Sequence, residues 1–341
     1  MPLASDITID ISRFHPDSIT QETKEICAAI EENASKVPYW FEIGAVKFRQ
    51  MLSRGEGGGF PAPVLLPGAV DAALPSRDAG RDIPIRVYKP DHGESKGVVL
   101  HIHGGGWTLF SHRDFDGTLQ FYANNHHVTT ISVGYRLAPE HPAPAAIQDC
   151  IDAAEYLVDH ATDEYGGELS FIVGESAGAN LTMTTALGLL RSRPGFSLKG
   201  LICAYGMYAL SGGSPSMRGY ERHLIINETV VEAFVDSYTP GWSFQKRQDP
   251  SISPLFEDLQ NLASKAKGQT LPPVLFVCGT ADPVLDDSML MSLKWMATGS
   301  EAIVKIFPGG WHGLDLGNFT LSKECREYYR EFIAEKMASS E

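Results

Sequence analysis

The spacing of apolar positions changes near residue 82. Before it, the S-x-x-Q pattern of Ser18 to Gln21 has the form of a capping box. Apolar or small residues follow at Ile26, Ala29 and Ile30 and over 33–37, which predicts a helix over about 18–36. A second helix is predicted over 39–52, stopped by the glycine cluster RGEGGGFPAP. From residue 82 the pattern becomes short β-rich runs: IPIRVYKP, GVVLHIH, VTTISVGY, LSFIVG, LKGLICAY, PPVLFVCG and AIVKIFPG. Several are unbroken Val/Ile/Leu stretches, the pattern of parallel strands buried on both faces, and helices fit between most of them. The fold class is therefore α/β with a largely parallel sheet. Some sixty residues separate LICAYGMYAL from PPVLFVCG, too many for one crossover. Within them Asn227 precedes apolar residues at Val230, Val231, Phe234, Val235 and Tyr238, which predicts a capped helix in an insert.

Composition narrows the partners. The chain has 341 residues, 43% of them hydrophobic and 21% charged, as in an ordinary folded protein with a large core. A formal charge of −14 with no Lys/Arg cluster excludes a nucleic-acid partner and disfavours an anionic membrane. MPLASDITIDIS has neither a basic nor an apolar leader region, and no apolar run approaches 18 residues. The chain reads as cytoplasmic. Its five cysteines are scattered, odd in number and never in a C-x-x-C pair, so they read as small buried hydrophobes rather than disulfides or zinc ligands.

The candidate chemistry sits at strand ends. LSFIV runs into GESAG, residues 174–178, and then into ANLTMTTALGLLR. This is G-x-S-x-G in a strand, turn and helix setting, which makes Ser176 the candidate nucleophile. A serine hydroxyl needs a base to take its proton and a carboxylate to orient that base. After Ser176 only two histidines remain. His223 lies in the insert amid RGYERHLI, whereas His312 follows the last strand, flanked by glycines, and is the better base. TADPVLDDS follows PPVLFVCG and offers Asp282, Asp286 and Asp287. Asp282 is nearest the strand end; the other two also suit the start of the next helix.

Upstream, HGGGW (103–107) follows the buried strand VVLHI. It lacks the G-x-x-x-x-G-K-[ST] of a phosphate loop and the G-x-G-x-x-G of a dinucleotide loop. Its place fits a loop that aims backbone N–H groups at a developing oxyanion, with Ala177 supplying another. On this reading a valine at Gly105 lowers turnover and spares the fold.

Together HGGGW, YRLAPEHPAPA (135–145), GESAG, DPVLDD (282–287) and WHG (311–313) resemble the hormone-sensitive-lipase-like family of α/β-hydrolases, over about residues 82–335. The resemblance implies an α/β-hydrolase fold with Ser176, Asp282 and His312 as the triad and Gly105, Gly106 and Ala177 as the oxyanion hole. It also implies one domain over 1–341, with a helical cap from about 1–52 and 207–250. Many members have Asp where this chain has Glu175, for which a supporting hydrogen bond is expected. Arg136 and Glu140 read as loop braces, and His101 and His103 as positioning residues. The substrate-facing candidates are Trp107, Tyr205 and Tyr208, and Tyr39, Trp40, Phe41 and Trp242 line a pocket or form the cap's own core. The implied activity is hydrolysis of small, short-acyl carboxylic esters with no metal or organic cofactor, in a chain that dimerises. An amidase, a lactonase or an acetyl-removing biosynthetic hydrolase would share the chemistry. A small-molecule receptor of the gibberellin type shares the fold but lacks the triad histidine, which is present here.

Overall fold

In the computed structural model, which describes residues 7–265 and 270–338, the seven predicted runs are strands of one eight-stranded sheet. The strands are β1 (Ala69–Pro75), β2 (Asp82–Tyr88), β3 (Val98–Ile102), β4 (Thr129–Val133), β5 (Leu169–Glu175), β6 (Gly200–Ala204), β7 (Val274–Gly279) and β8 (Ala302–Phe307). They lie in the order β1-β2-β4-β3-β5-β6-β7-β8. β2 is antiparallel to β1 and β4, and every other pairing is parallel. Every residue of β3 to β7 is buried, whichever face its side chain takes, so both faces of the sheet are covered.

The strand missing from the sequence reading is β1. It sits at the sheet edge, with Ala69 and Leu74 buried and the four residues between them exposed. Neither the alternation of a half-buried strand nor the apolar run of a central one results.

The helices are α1 (Gln21–Ala34), α2 (Trp40–Ile43), α3 (Ala45–Ser53), α4 (Asp116–His126), α5 (Ala145–Tyr165), α6 (Ala177–Ser192), α7 (Glu228–Tyr238), α8 (Leu259–Lys265), α9 (Leu285–Met296) and α10 (Thr320–Ala338). α1 starts later than expected because Thr20, not Ser18, is its cap: Thr20 Oγ1 accepts the Thr23 N–H at 3.1 Å. The helix predicted over 39–52 is broken into α2 and α3 at Gly44, whose φ of +94° a helix cannot hold. Asn227 caps α7 as expected, accepting the Val230 N–H at 3.0 Å.

The segment holding α1–α3 and the insert holding α7 touch each other. Arg222 donates to Glu31 at 2.8 Å, Tyr39 and His223 share a hydrogen bond of 2.9 Å, and Trp40 stacks on Phe234. Among the described residues no helix is long and apolar enough to cross a membrane.

Candidate active site

Three strand ends converge on Ser176. β5 leads straight into it, and the backbone there takes φ +57° and ψ −122°, a conformation that costs on the order of 1–3 kcal/mol for a residue with a side chain. The turn is possible because Gly178 lies against β3: a Cβ on it would stand 1.9 Å from the Ile102 carbonyl oxygen. Ser176 Oγ is 2.7 Å from His312 Nε2, and His312 Nδ1 is 2.9 Å from Asp282 Oδ2. Asp282 and His312 are both buried, where a charge pair is poorly screened. The arrangement can pass the Ser176 proton to His312 while Asp282 holds the ring in one tautomer.

The three aspartates left open by the sequence separate cleanly. Asp286 accepts the Ser216 N–H and hydroxyl at 2.8 and 2.7 Å. Asp287 accepts the N–H groups of Tyr208 and Ala209 at 2.6 and 2.9 Å and the Ser214 hydroxyl. Both therefore anchor the start of the insert to α9. Burial pushes the Asp287 carboxyl up to about 6, against the pull of these donors. A raised folded-state value means that the native protein binds this proton more tightly than the unfolded chain. The resulting stability is present at low pH and is lost as pH rises through about 6. Between pH 4.5 and 7 the stability advantage of the wild type over Asp287→Asn is expected to shrink by about 2 kcal/mol. Urea unfolding of both proteins across that range checks it; a constant difference contradicts it.

The HGGGW loop is built around Glu175. Its Oε1 accepts the Gly104 N–H at 2.9 Å, and its Oε2 lies 3.1 Å from His101 Nε2, whose ring reaches Ser132 Oγ at 2.9 Å. This is the supporting role expected of Glu175, and it consumes the first glycine's N–H. The N–H groups of Gly105 and Gly106 have no partner among the described residues, and Ala177 opens α6, where the first N–H groups have no helical acceptor. Gly105 and Gly106 have φ of +107° and +59°. A Cβ on Gly105 would meet the Leu109 carbonyl oxygen at 2.4 Å. Valine there strains the turn itself, so the expectation that it would spare the fold does not hold.

His103 is buried between Phe115 and Tyr135, and desolvation lowers it to about 3. It stays neutral and hydrogen-bonds the Gly104 carbonyl through Nδ1 at 2.8 Å. Arg136 grips Asp149, and Glu140 takes both ends of the Arg49 guanidinium at 2.8 Å. Arg49 also donates to the carbonyls of Thr108 and Ala138, which ties α3 to the HGGGW turn.

A cavity of about 30 Å³ opens at Ser176, room for about two waters. Of the three substrate-facing candidates, Trp107 and Tyr205 line it, while Tyr208 does not. Tyr208 is fully buried, edge-on to Phe276, and its backbone N–H holds Asp287. Tyr205 stands edge-on to His312 with ring centroids 4.8 Å apart, and Trp107 also stacks on Tyr238 at 4.8 Å. The remaining wall is aliphatic or aromatic and was not singled out from the sequence: Met207, Ile226, Val231, Phe234 and Val284. The signal was present for two of them, since Val231 and Phe234 belong to the apolar stripe of α7. All five cysteines are buried and their thiols are raised by desolvation, which leaves them poor nucleophiles.

Sheet order, strained elbow and proton path together define a serine hydrolase of the α/β class. Residues 99–316 match a family model described as the alpha/beta hydrolase fold. The chain is 29% identical over 262 residues to the carboxylic ester hydrolase LipN of Mycobacterium tuberculosis, covering 74% of this chain and 66% of that one, just under two thirds. It is 30% identical over 278 residues to the carboxylesterase NlhH of the same species, covering 80% and 81%. The solved esterase of Pyrobaculum calidifontis is similar at a TM-score of 0.69 and 27% identity, covering 97% of this chain and 99% of that one. The chain belongs to the hormone-sensitive-lipase-like family of α/β-hydrolases.

Proposed function

We propose that the protein is a carboxylesterase acting on small esters of short carboxylic acids. Ser176 Oγ attacks the ester carbonyl as His312 Nε2 takes its proton, and Asp282 keeps the other imidazole nitrogen protonated and the ring oriented. The N–H groups of Gly105, Gly106 and Ala177 receive the oxyanion, each worth about 3–4 kcal/mol of transition-state stabilisation. His312 returns the proton to the leaving alkoxide, which departs as the alcohol. It then deprotonates a water that attacks the acyl-enzyme, and the second collapse frees the carboxylic acid and restores Ser176. The helices of the N-terminal segment and the insert act as a cap over this centre.

The observation that carries the reading is the Ser176–His312–Asp282 chain at 2.7 and 2.9 Å on the floor of a small apolar cavity. The small cavity favours a short acyl group, and similarity to the carboxylic ester hydrolase LipN and the carboxylesterase NlhH favours an ester over an amide. A rate series over p-nitrophenyl acetate to decanoate, with p-nitroacetanilide included, tests it. Maximal kcat/KM is expected at the acetate to butyrate end. A maximum beyond the octanoate removes the short-acyl assignment, and faster turnover of the anilide makes the protein an amidase.

A further inference from the structure

We propose that Phe234, braced by Trp40, sets the length of the acyl group the enzyme accepts. The inference rests on Ser176 being the nucleophile and His312 the proton donor to the leaving group.

The two halves of an ester must then point in different directions. The alcohol oxygen has to lie within hydrogen-bond reach of His312 Nε2, because that atom protonates it on departure. The alcohol half is therefore on the His312 side, where Tyr205 stands edge-on to the imidazole and Val284 follows two residues after Asp282. The carbonyl oxygen points toward Gly105, Gly106 and Ala177. What remains for the acyl chain is the rest of the wall, Trp107, Met207, Ile226, Val231 and Phe234, of which Phe234 stands directly against Gly106.

Phe234 closes that wall at very short range. Its ring occupies the space in front of Gly106, so that a Cβ on the glycine would lie 2.2 to 2.6 Å from three of its ring atoms. The residue is 8% exposed and cannot turn outward freely, because Trp40 of α2 stacks flat on its ring, centroids 4.9 Å apart and planes 14° apart. Trp40 does not line the cavity. It is itself buried and is crossed at an edge by Phe41 at 5.7 Å. The acyl limit is thus fixed by two aromatic rings nearly two hundred positions apart, one touching the substrate and one holding the first in place.

In an apolar pocket, one methylene accepted or refused changes kcat/KM by about 10- to 200-fold. Removing the ring should therefore move the optimum along the acyl series and leave the alcohol series in its original order. The test uses the full-length protein and its variants Phe234→Ala, Phe234→Leu and Trp40→Leu, with p-nitrophenyl acetate to decanoate as one series and methyl to hexyl acetate as the other. Thermal melts and titration of Ser176 with a small fluorophosphonate count the folded, competent sites. Phe234→Leu keeps the test open should the alanine variant fail to fold. The octanoate-to-acetate ratio of kcat/KM is expected to rise at least tenfold in the Phe234 variants. A smaller rise in the same sense is expected for Trp40→Leu, which touches no substrate. An unchanged acyl ratio in folded variants, or a shift in the alcohol series instead, overturns the proposal while leaving the esterase reading intact. A wild type that hydrolyses neither series, or a Ser176→Ala protein that hydrolyses both at the wild-type rate, overturns both.

Discussion

Ser176→Ala is expected to lower kcat toward p-nitrophenyl acetate by about a million-fold, the cost of removing the nucleophile of a serine hydrolase triad. The magnitude follows from what the substitution leaves behind. The oxyanion donors and the cavity still bind ester, so turnover falls to the level such groups achieve with water alone, some 10³- to 10⁴-fold above the uncatalysed reaction. The fold should be unaffected or slightly steadied. The φ of +57° at position 176 is held by Gly178 fitting against the Ile102 carbonyl, and the serine hydroxyl has His312 as its hydrogen-bond partner. Burst amplitude with a p-nitrophenyl ester separates this from a general loss of protein. The wild type releases a stoichiometric burst, and the variant releases none while retaining its melting temperature. A variant that keeps even a hundredth of the wild-type rate in homogeneous preparations moves the nucleophile elsewhere.

Asp282→Asn is expected to cost about 10⁴-fold in kcat. The asparagine is nearly isosteric, so the 2.9 Å contact to His312 Nδ1 can persist. Its amide can however present N–H where the carboxylate presented only acceptors, and then Nε2 rather than Nδ1 carries the imidazole proton. In that tautomer His312 faces the Ser176 hydroxyl with a donor and cannot accept its proton. The neighbouring aspartates provide a control for position. Asp286→Asn alters a bond to Ser216 at the surface of the insert, and its effect on kcat should stay within a few-fold. Equal losses at 282 and 286 would mean that the cluster acts through stability rather than through the imidazole.

The central strands were the most legible in the sequence because their burial is uniform, while β2 and β8, partly exposed, were found from their β-branched runs. β3 to β7 are buried from end to end and most of them read as apolar runs; GESAG and TADPVLDDS follow β5 and β7 directly and His312 follows β8, so strand ends and motifs pointed to Ser176, Asp282 and His312 together. β1 left no such trace because five of its seven residues face solvent. The helix over 39–52 reads as continuous because a single glycine in a helical pattern costs only about 1 kcal/mol and need not break it; at Gly44, with φ +94°, it does. Tyr208 and Phe234 exchanged roles for a related reason. Composition marks both as large and apolar, but which one faces the cavity depends on the path of the insert. Asp287 draws that path inward at the Tyr208 N–H, burying one ring and leaving α7 to present the other.

The bonds made by Arg49 bear on the order in which the molecule assembles. α1–α3 leave the ribosome ahead of the sheet, yet the acceptors of Arg49 are at Thr108, Ala138 and Glu140, and the stacking partner of Trp40 is at 234. Contacts across such separations cannot form until the intervening chain has emerged, and they are slow to close afterwards. The earliest helices therefore wait undocked until those partners emerge, with the apolar faces of Trp40 and Leu52 uncovered in the meantime. Arg49 can brace the HGGGW turn once residue 140 is out, before β5 is made, whereas Trp40 waits for the insert. A nascent chain should thus brace the HGGGW turn before it can close the aromatic wall at Phe234.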